Sequence, residues 1–256
     1  IAEELGVSEE NIYGMDLFLY NRMEAVRWGH DGEFIGCPRL DDLQCAFASV
    51  KGFLAAENDR NISVYACFDN EEVGSGTKQG AASTFLYDVL WRMNKALGKD
   101  EEEFYRAVAS SFMLSCDNAH AVHPNHRQKS DETNCVYMNE GIVIKSHAGQ
   151  KYTSDAVSVA IFKMICEKAK VPVQFFSNRS DEAGGSTLGN IAMSQVSMNT
   201  VDIGLPQLAM HSAYETAGVK DMEYMVKAVT EFYASNIRGD SDGNYRILRK
   251  IDFFIG

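Results

Sequence analysis

Two glutamates stand side by side at the end of an apolar run, Val64-Tyr65-Ala66-Cys67-Phe68-Asp69-Asn70-Glu71-Glu72. A strand that leaves a core and finishes in acidic and amide residues is a poor way to end a sheet for stability. Adjacent carboxylates repel, and desolvating them is costly unless a proton or a cation neutralises them. Gly74-Ser75-Gly76 follows and permits a sharp turn towards the next helix. Such a pair can divide its labour: one glutamate binds a metal, and its neighbour, whose side chain points elsewhere, moves a proton. Alone, an acidic pair reads more simply as a solvated loop, so other parts of the chain must decide.

A second cluster does so. Asp117-Asn118-Ala119-His120-Ala121-Val122-His123-Pro124-Asn125-His126 puts one aspartate and three of the chain's six histidines in a short span. Met210-His211-Ser212, after the turn-forming Gly204-Leu205-Pro206, adds another imidazole. Asp41, in Arg39-Leu40-Asp41-Asp42-Leu43, stands at the mouth of a helix, where a carboxylate by itself reads as an N-cap. Together Asp41, Glu72, Asp117 and His211 form an oxygen-and-imidazole set without thiolate. Such ligands suit zinc, manganese or cobalt in a hydrolytic site that keeps a position open for water. A carboxylate shared by two ions would make this a two-metal hydrolase, with Glu71 the natural general base.

The elements that must position these residues alternate along the chain. Strands are expected at Asp16–Val26, Ile62–Phe68, Phe112–Cys116, Gly141–Lys145, Val173–Phe176 and Val201–Ile203. Helices are expected from Arg39 to about Ala56, Gly80 to Leu97, Asp100 to about Ser110, Ser154 or Asp155 to near Lys170, Ser186 to Ser197 and Asp221 to Ser235. This alternation implies an α/β layered fold with a largely parallel central sheet, whose functional groups gather beyond the carboxyl ends of the strands. The polar clusters at Asp69–Glu72, Asp117–His126, Asn178–Gly185 and Gln207–His211 fit that placement.

Bulk properties narrow the function classes. A chain of 256 residues with 45% hydrophobic content can bury a substantial core. A net charge of −12 without a basic patch argues against nucleic acid as a partner. No apolar stretch approaches the ~20 residues that span a bilayer. The six cysteines form no C-x-x-C pair and sit mostly in apolar runs, which reads as free thiols in a reducing, cytoplasmic setting. The opening Ile-Ala-Glu-Glu-Leu-Gly reads as the middle of a helix, as in a segment of a longer chain.

Four motifs, in order and spacing, carry a resemblance: Arg39-Leu40-Asp41-Asp42-Leu43, Asp69-Asn70-Glu71-Glu72-Val73-Gly74-Ser75, Asp117 to Asn125, and Ala209-Met210-His211-Ser212. They resemble the M18 metallo-aminopeptidases, the aspartyl aminopeptidase family, over nearly the whole chain. The resemblance implies a layered zinc-exopeptidase fold with a mostly parallel or mixed sheet flanked by helices. It also implies two zinc ions per active site, with Asp41 bridging them, Asp117 on one, Glu72 and His211 on the other, and Glu71 as base. The family carries a further histidine ligand in a His-Thr-Asp motif that this sequence does not contain, and His30 is no substitute. By the same resemblance, residues 1–22 look like the end of an inserted dimerisation domain. Residues 23–256 look like the catalytic metallopeptidase domain without its N-terminal segment, so this segment alone is expected to be inactive.

On the substrate side, Gly141-Ile142-Val143-Ile144-Lys145 ends a strand in lysine, by default a snorkelling surface residue. The resemblance gives Lys145 the acidic side chain of the substrate's first residue, places Tyr152 beside it and makes His120 substrate-facing. The expected function is a zinc-dependent aminopeptidase that removes N-terminal, preferably acidic, residues from peptides and assembles as a homo-oligomer built from dimers. Two alternatives are an aminopeptidase for neutral N-termini and a non-catalytic assembly subunit with an incomplete metal site.

Overall fold

The computed structural model describes residues 1–240 and 243–248, so the last residues of the expected catalytic domain, 249–256, lie outside the described residues. The described elements begin with α1 (Ala2–Leu5), β1 (Val26–Trp28), β2 (Phe34–Cys37), α2 (Leu40–Ala55), α3 (Phe85–Ala96), α4 (Glu101–Ala109) and β3 (Phe112–Cys116). They continue with β4 (Ala119–His120), β5 (Ile142–Ser146), α5 (Ala156–Ala169), β6 (Val173–Ser177), α6 (Leu188–Met193), β7 (Asn199–Gly204) and β8 (Pro206–Leu208). The last are β9 (Glu215–Gly218), α7 (Val219–Ala234), β10 (Asn236–Gly239) and β11 (Tyr245–Leu248).

Local chemistry accounts for several of the boundaries. Asp100 and Asp155 each open a helix through a reciprocal capping box, with Glu103 and Ser158 respectively. The expected helices at 80–97 and 186–197 form only as α3 and α6, because the glycines and hydroxyl residues at their starts remain in turns.

A four-stranded sheet in the order β3-β7-β5-β6 forms the centre. The pairs β3–β7 and β5–β6 are parallel, while β5 and β7 run antiparallel, so the sheet is mixed rather than largely parallel. Period-two alternation sorts its residues: Ile142, Ile144, Val201 and Ile203 enter one buried cluster with Cys45 and Ala48 of α2, Phe162 and Cys166 of α5, and Met225, Ala228 and Val229 of α7. Val143 enters a separate cluster with Ala119 and Val136. Gly52 lets α2 approach α7, since a Cβ there would lie 2.6 Å from Cγ1 of Val229. A second sheet, β1-β2-β9-β8-β4, and the β10–β11 hairpin complete the strands.

Two expected strands do not form. Residues 62–68 pair with no strand among the described residues. A cavity of about 660 Å³ lined by this segment and by residues 110–116 separates them from the free edge of β3. They are anchored instead by hydrogen bonds from the Tyr233 hydroxyl to Val64 O (2.8 Å) and from the Tyr65 hydroxyl to Ala46 O (3.0 Å). Of the strand expected at Asp16–Val26, only Val26 is in β1. Leu17, Phe18, Leu19 and Tyr20 are exposed, because their β-favouring side chains find no partner strand among the described residues.

Candidate metal centre

The acidic and imidazole residues come from four separate elements. Asp117 follows β3 directly, Lys145 is the fourth residue of β5, and His211 lies beyond the end of β8. Glu71 and Glu72 open a short 3₁₀ turn, after Asn70 in the left-handed region at φ 57°. Asp41 lies in the first turn of α2 but has non-helical angles (φ −85°, ψ 116°), and its Oδ1 has no hydrogen-bond partner among the described residues while Oδ2 faces His211. The capping reading of Asp41 therefore fails. The backbone bends there and frees the carboxylate.

These residues converge. Nε2 of His211 lies 3.1 Å from Oδ2 of Asp41 and 2.8 Å from Oε2 of Glu72. Ligand-type atoms of Asp41, Glu72 and His211 all fall within 4.8 Å of one another, and so do those of Asp41, Asp42 and Asp117. Asp41 belongs to both groups. Glu71 belongs to neither, although the charges of Asp117 and Glu72 reach it.

Crowding of carboxylates raises their affinity for protons. Burial, then the charges of Asp117, Glu72 and Glu215, push Asp41 up to about 8. Burial first, then Asp117 and Glu72, push Glu71 up to about 7. Asp42 is also raised, chiefly by burial and then by Asp117 and Asp41.

A buried polar network fixes these pieces relative to one another. Asn118 accepts from Nε2 of Gln44 (2.8 Å), and its amide donates to Leu40 O (2.8 Å) and to Oε1 of Gln207 (3.0 Å). It thus ties the start of α2, and with it Asp41, to the segment bearing Asp117. Gly204 permits the close pass of β7, since a Cβ there would sit 2.0 Å from Asp117 O.

Lys145 is no snorkelling residue. It is 2% exposed, and its ammonium donates to Asp117 O (3.0 Å), Asp117 Oδ2 (3.1 Å) and Asn118 O (3.1 Å). Burial alone would lower its pKa, but the carboxylates of Asp117 and Asp202 more than offset this and keep it charged. Tyr152 is buried against it, with the ammonium 5.3 Å from the ring centroid. His120 is exposed, and its pKa is lowered by the surrounding protein and by the nearby charges of His211 and Lys145. His123 and His126 pair their rings at 5.0 Å on the surface, while His30 occupies the exposed turn between β1 and β2.

The family described as Aminopeptidase I zinc metalloprotease (M18) matches residues 1–233. The chain belongs to the M18 family. A probable M18 family aminopeptidase 2 of Clostridium acetobutylicum is 49% identical over 233 residues, which cover 91% of this chain and 54% of that protein. Among solved structures, prApe1 superposes on the M18 chain with a TM-score of 0.82 at 29% identity, covering 91% of this chain and 50% of that one. The mApe1 dodecamer of S. cerevisiae gives 0.77 at 28%, covering 91% and 53%. The M18 chain thus spans about half the length of the curated relatives it matches.

The donor set of the M18 chain fits zinc. Oδ1 of Asp41 and Oδ1 of Asp42 are buried without a hydrogen-bond partner among the described residues, and carboxylates buried in this way are neutralised either by a proton or by a cation that they can ligate. Carboxylates and one imidazole are the oxygen and nitrogen ligands zinc accepts. Asp42 escaped the sequence reading as a site residue, although its adjacency to Asp41 repeats the Glu71–Glu72 signal. Glu215 escaped it too, and an isolated glutamate at the start of a short strand carries no local signal.

Proposed function

We propose that this chain supplies the catalytic core of a two-zinc aminopeptidase. The observation that supports this reading most strongly is the shared position of Asp41, which meets Glu72 and His211 on one side and Asp42 and Asp117 on the other. Asp41 would bridge the ions, Glu72 and His211 would complete one shell, and Asp117 would serve the other. Zinc bound there supplies Lewis acidity for the scissile carbonyl. Glu71 accepts the proton of the attacking water and returns it to the leaving amine. Glu71 stands beside the two ligand groups without belonging to either, which leaves its carboxylate free to move that proton. The surrounding carboxylates favour the α-ammonium group of a peptide N-terminus.

The finer reading is a preference for N-terminal aspartate or glutamate. Lys145 is the buried cation beside the cluster; its three N–H donors face Asp117 and Asn118, and it would meet a substrate carboxylate by turning from Asp117 Oδ2 when a metal ion takes that oxygen. Tyr152 and His120 would line the same subsite. In this reading residues 1–22 end an inserted domain, residues 23–256 are catalytic, and the free cysteines fit a reducing, cytoplasmic compartment. Exposed Tyr13, Leu17, Phe18 and Leu19 offer apolar surface for a homo-oligomer, as the dodecamer of a relative suggests.

Hydrolysis of Asp-, Glu- and Leu-p-nitroanilide by the intact protein that contains this chain, with and without a chelator, tests the proposal. Zinc-dependent cleavage, faster for Asp and Glu, is expected. Faster cleavage of Leu would select the neutral aminopeptidase, and zinc binding without any cleavage would select an assembly subunit.

A further inference from the structure

Glu215 is the first residue of β9 and is 2% exposed, yet it belongs to neither acidic group. Its two carboxylate oxygens are spent on backbone. Oε2 accepts from the amide of Asp41 at 2.9 Å, and Oε1 accepts from the amide of His211 at 2.8 Å. One side chain therefore clasps the main chain at two residues that meet over a common point, although they come from opposite ends of the chain.

Both clasped residues need holding. His211 has φ 65°, and Ala209 two residues before it has φ 59°, the left-handed region that non-glycine residues enter only at a cost. Asp41 departs from helical angles inside the first turn of α2. A charged acceptor makes a stronger hydrogen bond to a backbone N–H than a neutral one. In addition, β9 is held on both sides by β2 and β8, so the clasp sits on a rigid element.

The geometry points to Glu215 as a positioning residue that sets the separation and orientation of Asp41 and His211 for zinc. The inference rests on the reading of those two residues as metal-holding groups. Glu215 belongs to neither ligand group, and its hydrogen bonds reach the other two residues through their backbone amides. Removing one acceptor leaves a buried N–H unpaired and lets one of the two residues relax out of place.

Zinc affinity of the intact protein, measured by competition with a chromophoric chelator for wild type, E215Q and D221N, tests this. E215Q keeps the size of the side chain but turns an amide NH₂ towards one of the two N–H groups. Asp221 is the matched control. It is 1% exposed and accepts from the amides of Asn139 and Gly141 in the same way, but at the start of β5, the end opposite Lys145. The expected result is zinc affinity weakened by about tenfold to a hundredfold in E215Q, with wild-type affinity in D221N, the range typical of supporting groups around a metal. Equal affinity in E215Q and wild type would overturn the positioning role while leaving the metal site intact. Failure of E215Q to fold while D221N folds would make Glu215 a folding residue and also overturn it. A wild-type protein that takes up no zinc would remove the metal reading and this inference with it.

Discussion

Nε2 of His211 stands 3.1 Å from Oδ2 of Asp41, although one follows β8 and the other begins α2. No local pattern brings them together. The register of β2, β9 and β8 does, and Glu215 on β9 closes the contact through both backbones. An imidazole between two carboxylates, with a further buried carboxylate oxygen left bare, is an arrangement that a divalent cation completes.

On the proposed reading, Glu71 and Glu72 are neighbours in sequence but differ in role. Glu71→Gln is expected to keep zinc content while turnover falls by about 10²–10⁴-fold, the usual contribution of a positioned base. Glu72→Gln is expected to lose zinc. Elemental analysis beside kcat for both variants checks the division, and equal zinc loss in both would contradict it.

The buried pair of Lys145 and Asp117 makes a second case. Lys145→Met removes the cation and leaves the Asp117 carboxylate uncompensated in a buried setting. A loss of about 3–5 kcal/mol in metal-free stability is expected from urea unfolding. A loss below about 1 kcal/mol, the range of exposed pairs, would show that the pair is solvated in solution.

Protonation gives a third. Asp41 and Glu71 have folded pKa values of about 8 and about 7, above their ordinary values of 3.8 and 4.5. The folded metal-free protein then holds protons that the unfolded chain releases. Its stability is highest at low pH on this account and falls as pH rises from about 4 through about 8. Zinc displaces the proton of Asp41, and its charge disfavours that of Glu71, so it is expected to raise the melting temperature more at pH 8 than at pH 6. Thermal unfolding with and without zinc at both values measures this, and a larger shift at pH 6 would contradict the assignment.

Asn118 supplies a fourth, through packing rather than charge. Asn118→Ala breaks the buried contacts to Gln44, Leu40 and Gln207, at about 1–3 kcal/mol for each buried group left unpaired. Because those contacts join the segments of Asp41 and Asp117, zinc affinity is expected to fall as well. Unchanged affinity in a folded variant would separate the network from the site.

Much of this site could be read from the chain. Asp41, Glu72, Asp117 and His211 lie in dense polar motifs at the ends of apolar runs, and a strand end followed by a turn is where an α/β sheet exposes its chemistry. The capped helices α4 and α5 were legible because Asp100 and Asp155 satisfy amides within their own first turn. What could not be read depends on distant partners. Residues 62–68 have the composition of a strand but meet no ladder among the described residues, since a strand is defined by its neighbour and not by its own side chains. The burial of Lys145 depends on where Asp117 falls in space, and a lysine at a strand end looks the same whether it reaches water or a carboxylate. Glu215 is legible only after β9 has been placed between β2 and β8.

The central claim is that Asp41 joins two groups of ligands around zinc. An anomalous difference map recorded at the zinc edge, from crystals of the intact protein grown with zinc, tests it most directly. The account predicts density with Asp41 Oδ2, Glu72 Oε2 and His211 Nε2 at ~2.0–2.2 Å, and a second peak that shares Asp41 with Asp117. Zinc bound elsewhere on the protein, with Asp41 making no contact to it, would contradict the account.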